Sequence, residues 1–151
     1  MLQLARSHAF ARPLVNSGRL STAVHYRASP LSTPDGDDWK TGVPPGAPML
    51  DAPILRNGTP AWLSRQVGDE FALLLYQPSA SQRTAAATLG VRLLLVDDDD
   101  VADPQELIPE RYGLVAGAAV LFRPDQYVAA RWRRFDAEVT SVALRRARGL
   151  S

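Results

Sequence analysis

Phe71-Ala72-Leu73-Leu74-Leu75-Tyr76 is a near-continuous apolar run, and Val91-Arg92-Leu93-Leu94-Leu95-Val96 is a second. Short apolar runs without polar alternation predict strands buried on both faces, as in a parallel sheet. Between them lies Pro78-Ser79-Ala80-Ser81-Gln82. Ser79 and Gln82 have the spacing of a capping box, in which the serine hydroxyl and the glutamine side chain satisfy each other's backbone N–H groups. The alanine-rich stretch to Leu89 predicts a helix, and Gly90 supplies a C-terminal stop. Strand, helix, strand at this spacing predicts a βαβ unit with a parallel pair and a right-handed crossover.

Downstream, Pro104 and Pro109 flank a short helix that Tyr112-Gly113 ends. Ala118 to Phe122 and Tyr127 to Trp132 read as two strands, and Arg123-Pro124-Asp125-Gln126 is the turn that makes them an antiparallel hairpin. A last helix follows, with Phe135, Val139, Val142 and Ala143 expected on its core face. Arg145, Arg146 and Arg148 stand at its C-terminal end, where the macrodipole favours cations, and Gly149 closes it. The predicted order, β-α-β then β-β-α, is the thioredoxin-like order of an α/β fold. Redox chemistry on that fold needs a Cys-x-x-Cys at the start of the first helix. Pro78-Ser79-Ala80-Ser81 occupies that place, and a serine hydroxyl cannot do the work of a low-pKa thiolate. The sequence therefore predicts the fold as a scaffold without redox catalysis.

Bulk properties narrow the function further. The chain has 151 residues, 46% of them hydrophobic and 22% charged, which suits one ordinary domain with extensions. A net charge of +1 gives no reason to expect a nucleic acid or membrane partner. No apolar run approaches a membrane span. The cysteine count of zero excludes disulfides, thiolate metal sites and cysteine nucleophiles, and fits a cytoplasmic location.

Several candidate residues each have a functional and a plain reading. Asp97-Asp98-Asp99-Asp100 could hold a hard cation, but an EF-hand loop would need glycine and glutamate where Ala102 and Ile108 stand. The plain reading is a solvated loop at a strand end. His8 and His25 are the two histidines, and neither belongs to a catalytic motif. Arg131, Arg133 and Arg134 with Trp132 resemble a basic patch, yet a strand end with arginines alternating with a core-facing Trp132 explains them more simply. Asn57-Gly58-Thr59 matches a glycosylation acceptor but is followed by Pro60. No catalytic, cofactor-binding or metal-binding residue is assigned from the sequence.

The N-terminal part is irregular. Leu2, Leu4, Ala5, Ala9 and Phe10 are loosely helix-spaced, and Pro13 ends the pattern. Met1 to Pro34 holds no acidic residue while Arg6, Arg12, Arg19 and Arg27 run through it, which reads either as a mitochondrial transit peptide or as a basic helix and linker. Gly18 to Pro60 is rich in proline and cannot build long ladders, so it is expected to wrap over a body or to link two domains. Asp35-Gly36 and Asn57-Gly58 are turn signals within it, and Trp39, Met49, Leu50, Ile54 and Leu55 are its expected anchors. The organisation expected is a terminal helix over 1–17, a proline-rich wrap over 18–61 and a thioredoxin-like domain over 62–151.

Two segments carry a family resemblance. Phe10-Ala11-Arg12-Pro13-Leu14-Val15-Asn16-Ser17-Gly18-Arg19-Leu20-Ser21, followed by Ser29-Pro30-Leu31 and Val43-Pro44-Pro45-Gly46-Ala47-Pro48, is similar to the junction between the flavin domain and the C-terminal domain of FAD-dependent aromatic-ring hydroxylases. Hydroxyphenylpropionate, phenol and aromatic polyketide hydroxylases form that group. Gly117 to Trp132, with its Val120-Leu121-Phe122 strand, Arg123-Pro124-Asp125 turn and Val128-Ala129-Ala130-Arg131-Trp132 strand, resembles the family's terminal hairpin. The resemblance implies a thioredoxin-like tail without active cysteines that packs on the flavin domain or at a dimer interface. It implies FAD for the parent family, but the chain has no Gly-x-Gly-x-x-Gly after a strand, and no catalytic residue carries over. Two functions remain open. One is a structural and assembly domain of a flavin monooxygenase, with a flavin-domain partner or a homo-oligomer. The other is an autonomous cysteine-free binding module.

Overall fold

The computed structural model of the protein describes residues 24–97 and 101–150. The expected helix from Leu2 to Phe10, His8, the first 23 residues of the Met1 to Pro34 leader reading, and Asp98, Asp99 and Asp100 lie outside the described residues. Seven strands and four helices make up the rest: β1 (Pro53–Arg56), β2 (Thr59–Trp62), α1 (Leu63–Val67), β3 (Ala72–Tyr76), α2 (Ala80–Ala87), β4 (Arg92–Val96), β5 (Val101–Ala102), α3 (Leu107–Tyr112), β6 (Ala119–Phe122), β7 (Val128–Trp132) and α4 (Ala137–Ala147). The sheet order is β2-β1-β5-β4-β3-β6-β7.

The centre of that sheet follows the sequence reading. β3 and β4 pair in parallel, with Leu74 opposite Leu94. β6 runs antiparallel to β3, and β7 antiparallel to β6 with an irregularity between Leu121 and Phe122. Order β4-β3-β6-β7 with this pattern of directions is the thioredoxin-like arrangement. Every residue of β3 is buried because both faces of the sheet are covered there. One face carries Leu74, Tyr76, Leu94, Val96, Val120, Phe122 and Val128, packed under α1, α3 and the 39–52 stretch. The other carries Leu73, Leu75, Ala119, Leu121, Ala129 and Ala130, packed under α2 and α4.

Four expectations are corrected. β4 is not buried on both faces, since Arg92 is exposed and Leu93 and Leu95 are only half-buried on the face that α2 and α4 cover. The core face of α4 is Thr140, Ala143, Leu144 and Ala147, and Val139 and Val142 point outward. Leu50 is an exposed side chain, whereas Ile54 is buried and Trp39 and Met49 pack against the core. Asp35-Gly36 forms no turn; its aspartate is drawn into an ion pair.

The expected wrap also enters the sheet. β1 and β2 form a hairpin around Asn57-Gly58, both residues with positive φ (49° and 76°), as an Asn-Gly two-residue turn requires. Proline does not prevent it, because Pro53 opens its strand and Pro60 lies on the outermost strand. At the opposite rim the wrap closes the edge of β7: Gly46 N–H donates to the Val128 carbonyl (2.8 Å), Val128 N–H to that of Ala47 (2.9 Å) and Thr33 N–H to that of Ala129 (2.8 Å). Covering an edge in this way removes a template for unwanted strand pairing.

Candidate functional site

The place to look for chemistry on this topology is the start of α2, at the C-terminal end of β3. The capping box forms as the spacing predicts. Gln82 N–H donates to Ser79 Oγ (3.3 Å) and Ser79 N–H donates to Gln82 Oε1 (3.0 Å). The Gln82 amide also donates to the Gly117 carbonyl (3.2 Å), and Ser79 and Ser81 hydroxyls share a hydrogen bond (3.0 Å). Gly117 has φ +81°, and a side chain there would press within 3.2 Å of the Gln82 amide. The first turn of α2 is thus tied both to itself and to the loop before β6.

An open cleft of about 840 Å³ lies beside this turn, walled by Gln77, Ser79, Ser81, Arg133, Arg134 and Phe135. Asp136 borders it too, but its carboxylate caps α4 by accepting from Val139 N–H (3.0 Å). The hydroxyls here are hydrogen-bonded to each other and stand beside no histidine or thiol among the described residues. Nothing in that set activates a nucleophile. The cleft can hold a small polar molecule, but its groups do not form an acid–base pair.

A second cluster lies where β4 ends. Gln77 donates to the Tyr76 hydroxyl and to Asp97 Oδ2, both at 3.2 Å, and Asp103 N–H approaches Asp97 Oδ1 at 3.4 Å. Burial raises the Tyr76 phenol, and the charges of Asp97, Glu106 and Asp103 raise it further. Asp103 is buried and accepts the Ile108 N–H at 2.6 Å, fixing the entry to α3. Of the sequence-level cation candidate, Asp97 is thus engaged in local hydrogen bonds. Among the described residues, no three His, Cys, Asp or Glu side chains converge to hold a metal. His25 is exposed on the wrap.

The basic patch is rearranged. Arg131 is buried beneath the wrap rather than alternating outward, and Trp132 is half-buried on the helix-covered face. Arg131 makes two parallel bonds to Asp35 (Nε to Oδ1 2.8 Å, Nη2 to Oδ2 2.7 Å) and a third to the Thr41 carbonyl (3.2 Å). Its guanidinium also lies 4.3 Å from the centre of the Trp39 ring, and that of Arg133 lies 4.9 Å from it. Arg133 N–H donates to Asp37 Oδ2 (2.9 Å), and its Nε to the Asp38 carbonyl (3.1 Å). These groups fasten the wrap to β7. Sequence reasoning missed the clasp, although the acidic Asp35-Gly36-Asp37-Asp38 stretch beside Trp39 was its one signal. A second fastening is the Tyr112 hydroxyl, which donates to the Leu50 carbonyl (2.7 Å) and accepts the Leu50 N–H (2.9 Å). Burial pushes that phenol well above its usual range.

Comparison with known proteins places this architecture. No family model matches the chain. It is 28% identical over 131 residues to 6-methylpretetramide 4-monooxygenase of Streptomyces rimosus, a match covering 80% of this chain and 23% of that protein. Aklavinone-11 hydroxylase, solved with FAD and aklavinone, superposes with a TM-score of 0.73 at 26% identity, covering 88% of this chain and 28% of that one. The flavin-dependent monooxygenase PieE, solved with FAD and substrate, superposes with a TM-score of 0.74 at 22% identity over 90% of this chain and 27% of that one, a likeness of fold. The chain thus spans about a quarter of the length of these relatives.

The β3–α2 turn has no glycine-rich approach to a pyrophosphate, and the N-terminus of α2 is closed by its own capping box. These relatives are a monooxygenase, a hydroxylase solved with FAD and a flavin-dependent monooxygenase solved with FAD, and what the chain shares with the two solved proteins is one α/β part of each.

Proposed function

We propose that the chain is a non-catalytic structural and assembly domain of an FAD-dependent aromatic-ring monooxygenase, acting with a flavin-domain partner or as a homo-oligomer. The observation that carries this reading is the start of α2. The turn that would present thiols in a redox protein is Pro78-Ser79-Ala80-Ser81; its two hydroxyls bond each other, Ser79 is engaged in the capping box with Gln82, and the Gln82 amide ties the turn to Gly117. A turn engaged in this way holds two elements together. The match to about a quarter of each relative supports the same view, because the flavin-binding glycines expected of the parent family have no counterpart here. Fastening of the wrap by Arg131 and Tyr112 supports a rigid docking body. The absence of cysteine and the lack, among the described residues, of a helix able to cross a membrane are compatible with a cytoplasmic setting.

The test is complementation. The full chain is added to aklavinone-11 hydroxylase from which the matching quarter has been removed. Restored FAD retention and hydroxylation, with no activity from the chain alone, is the expected result. Stoichiometric flavin on the isolated chain, or turnover by it, refutes the reading. The second reading, an autonomous binding module, is favoured by the cleft beside Arg133 and Arg134. It gains if the chain binds a small polar molecule and fails to complement.

A further inference from the structure

The core side of α4 is made by Thr140, Ala143, Leu144 and Ala147, which leaves two β-branched apolar side chains on its outer flank. Val139 is 50% exposed and Val142 57%. Residues three apart on a helix are neighbours, and Arg146 continues the same line four residues on. One exposed valine is ordinary; two in register along one helix form a short seam.

The charges on this helix are polarised. Its N-terminal end carries Asp136 and Glu138, and its last turn carries Arg145 and Arg146, with Arg148 just beyond. A parallel neighbour of the same kind would set like charges against like. An antiparallel copy does the reverse. With a two-fold axis through Val142, Val142 meets Val142 of the second copy. Val139 then lies along the aliphatic stem of Arg145, and Glu138 faces Arg146. Symmetry makes each contact twice, and the helix dipoles oppose. An all-acidic partner helix would satisfy the arginines but leave Glu138 repelled, so the bipolar pattern favours self-recognition.

We propose that the outer flank of α4 is a docking surface for a second copy of this chain, in antiparallel two-fold contact centred on Val142. This extends the assembly reading to a named surface. A flavin domain that binds elsewhere leaves it untouched, so the two tests fail separately. The seam is short, since 11 residues span about 16 Å. The contact falls below the usual size of a stable interface, and a Kd of roughly 10–100 µM is expected.

Sedimentation equilibrium of the full chain, from about 1 µM to about 1 mM, measures it directly. Val142→Glu sets two carboxylates across the axis and is expected to raise Kd more than tenfold while leaving the thermal midpoint near that of the parent. The decisive arm uses charge. Glu138→Arg alone and Arg146→Glu alone each set like charges across the seam, and each is expected to stay monomeric. The first variant offers two cations along the seam and the second two anions, so mixing them is expected to restore association as a heterodimer. A chain that is monomeric at every concentration overturns the proposal. So does association that ignores Val142→Glu, or a mixture that stays monomeric while the parent associates.

Discussion

Asp35→Ala is the sharpest probe of how this fold is held. The Arg131 side chain is 5% exposed and that of Asp35 26%. Removing the carboxylate leaves a guanidinium under the wrap with only the Thr41 carbonyl and the Trp39 face as partners. Breaking a buried pair from one side costs about 3–5 kcal/mol. Solvent reaches a quarter of Asp35 and screens part of the attraction, so a loss of about 2–3 kcal/mol is expected. Urea unfolding followed by tryptophan fluorescence reads this directly, because Trp39 is part of the clasp. The second arm replaces both partners. Arg131→Met removes the buried charge while keeping much of the stem's packing, so Asp35→Ala in that background is expected to cost about 0.5 kcal/mol or less. The difference is the coupling of the pair. Additive costs, or an Asp35→Ala loss within about 0.5 kcal/mol of zero, would refute the view that this pair fastens the wrap.

Other outcomes follow from the same packing. Leu94→Ala, in the centre of the sheet, is expected to cost about 2–5 kcal/mol and Val142→Ala less than about 0.5 kcal/mol, as denaturant midpoints will show. Gly42 has φ +90°, and a Cβ there would lie 2.2 Å from the Tyr112 carbonyl oxygen. Gly42→Ala is therefore expected to lower the melting temperature and expose the wrap to limited proteolysis. Tyr112 stays protonated in the folded state beyond its ordinary value of 10, whereas the unfolded chain ionises there. The unfolded state then holds fewer protons, so stability is constant below that pH and falls as pH rises above it; Tyr112→Phe should flatten this fall in urea titrations at successive pH values. An absorbance scan of the purified chain is expected to show no flavin.

Much of the architecture was legible because it rests on local signals. The β3 run, the Ser79–Gln82 pair, the Arg123-Pro124-Asp125-Gln126 turn and the Gly113 stop each act over a few residues, and each stands where the spacing predicts. The clasp was not legible, because Asp35 and Arg131 are far apart in sequence and charge pairing across such a distance has no period. The β1–β2 hairpin was hidden by its prolines, whose cost vanishes at a strand start and on an outer edge.

The misreading of α4 is of a different kind. Periodicity favours the bulkiest apolar residues, so Val139 and Val142 read as core. The sheet beneath α4 is instead floored by Ala119, Ala129 and Ala130. A floor of small side chains lets a helix approach closely when it too presents small residues, and Ala143 and Ala147 meet that condition with Leu144 and Phe135 filling the margins. Turning the valines inward would lift the helix from the alanines and bury Glu138 or Arg146 beside them. The valines are thus outside because close packing wins over hydrophobic pattern. The same competition leaves α4 with an apolar seam bracketed by opposite charges, and a seam of that kind is what a second copy can cover.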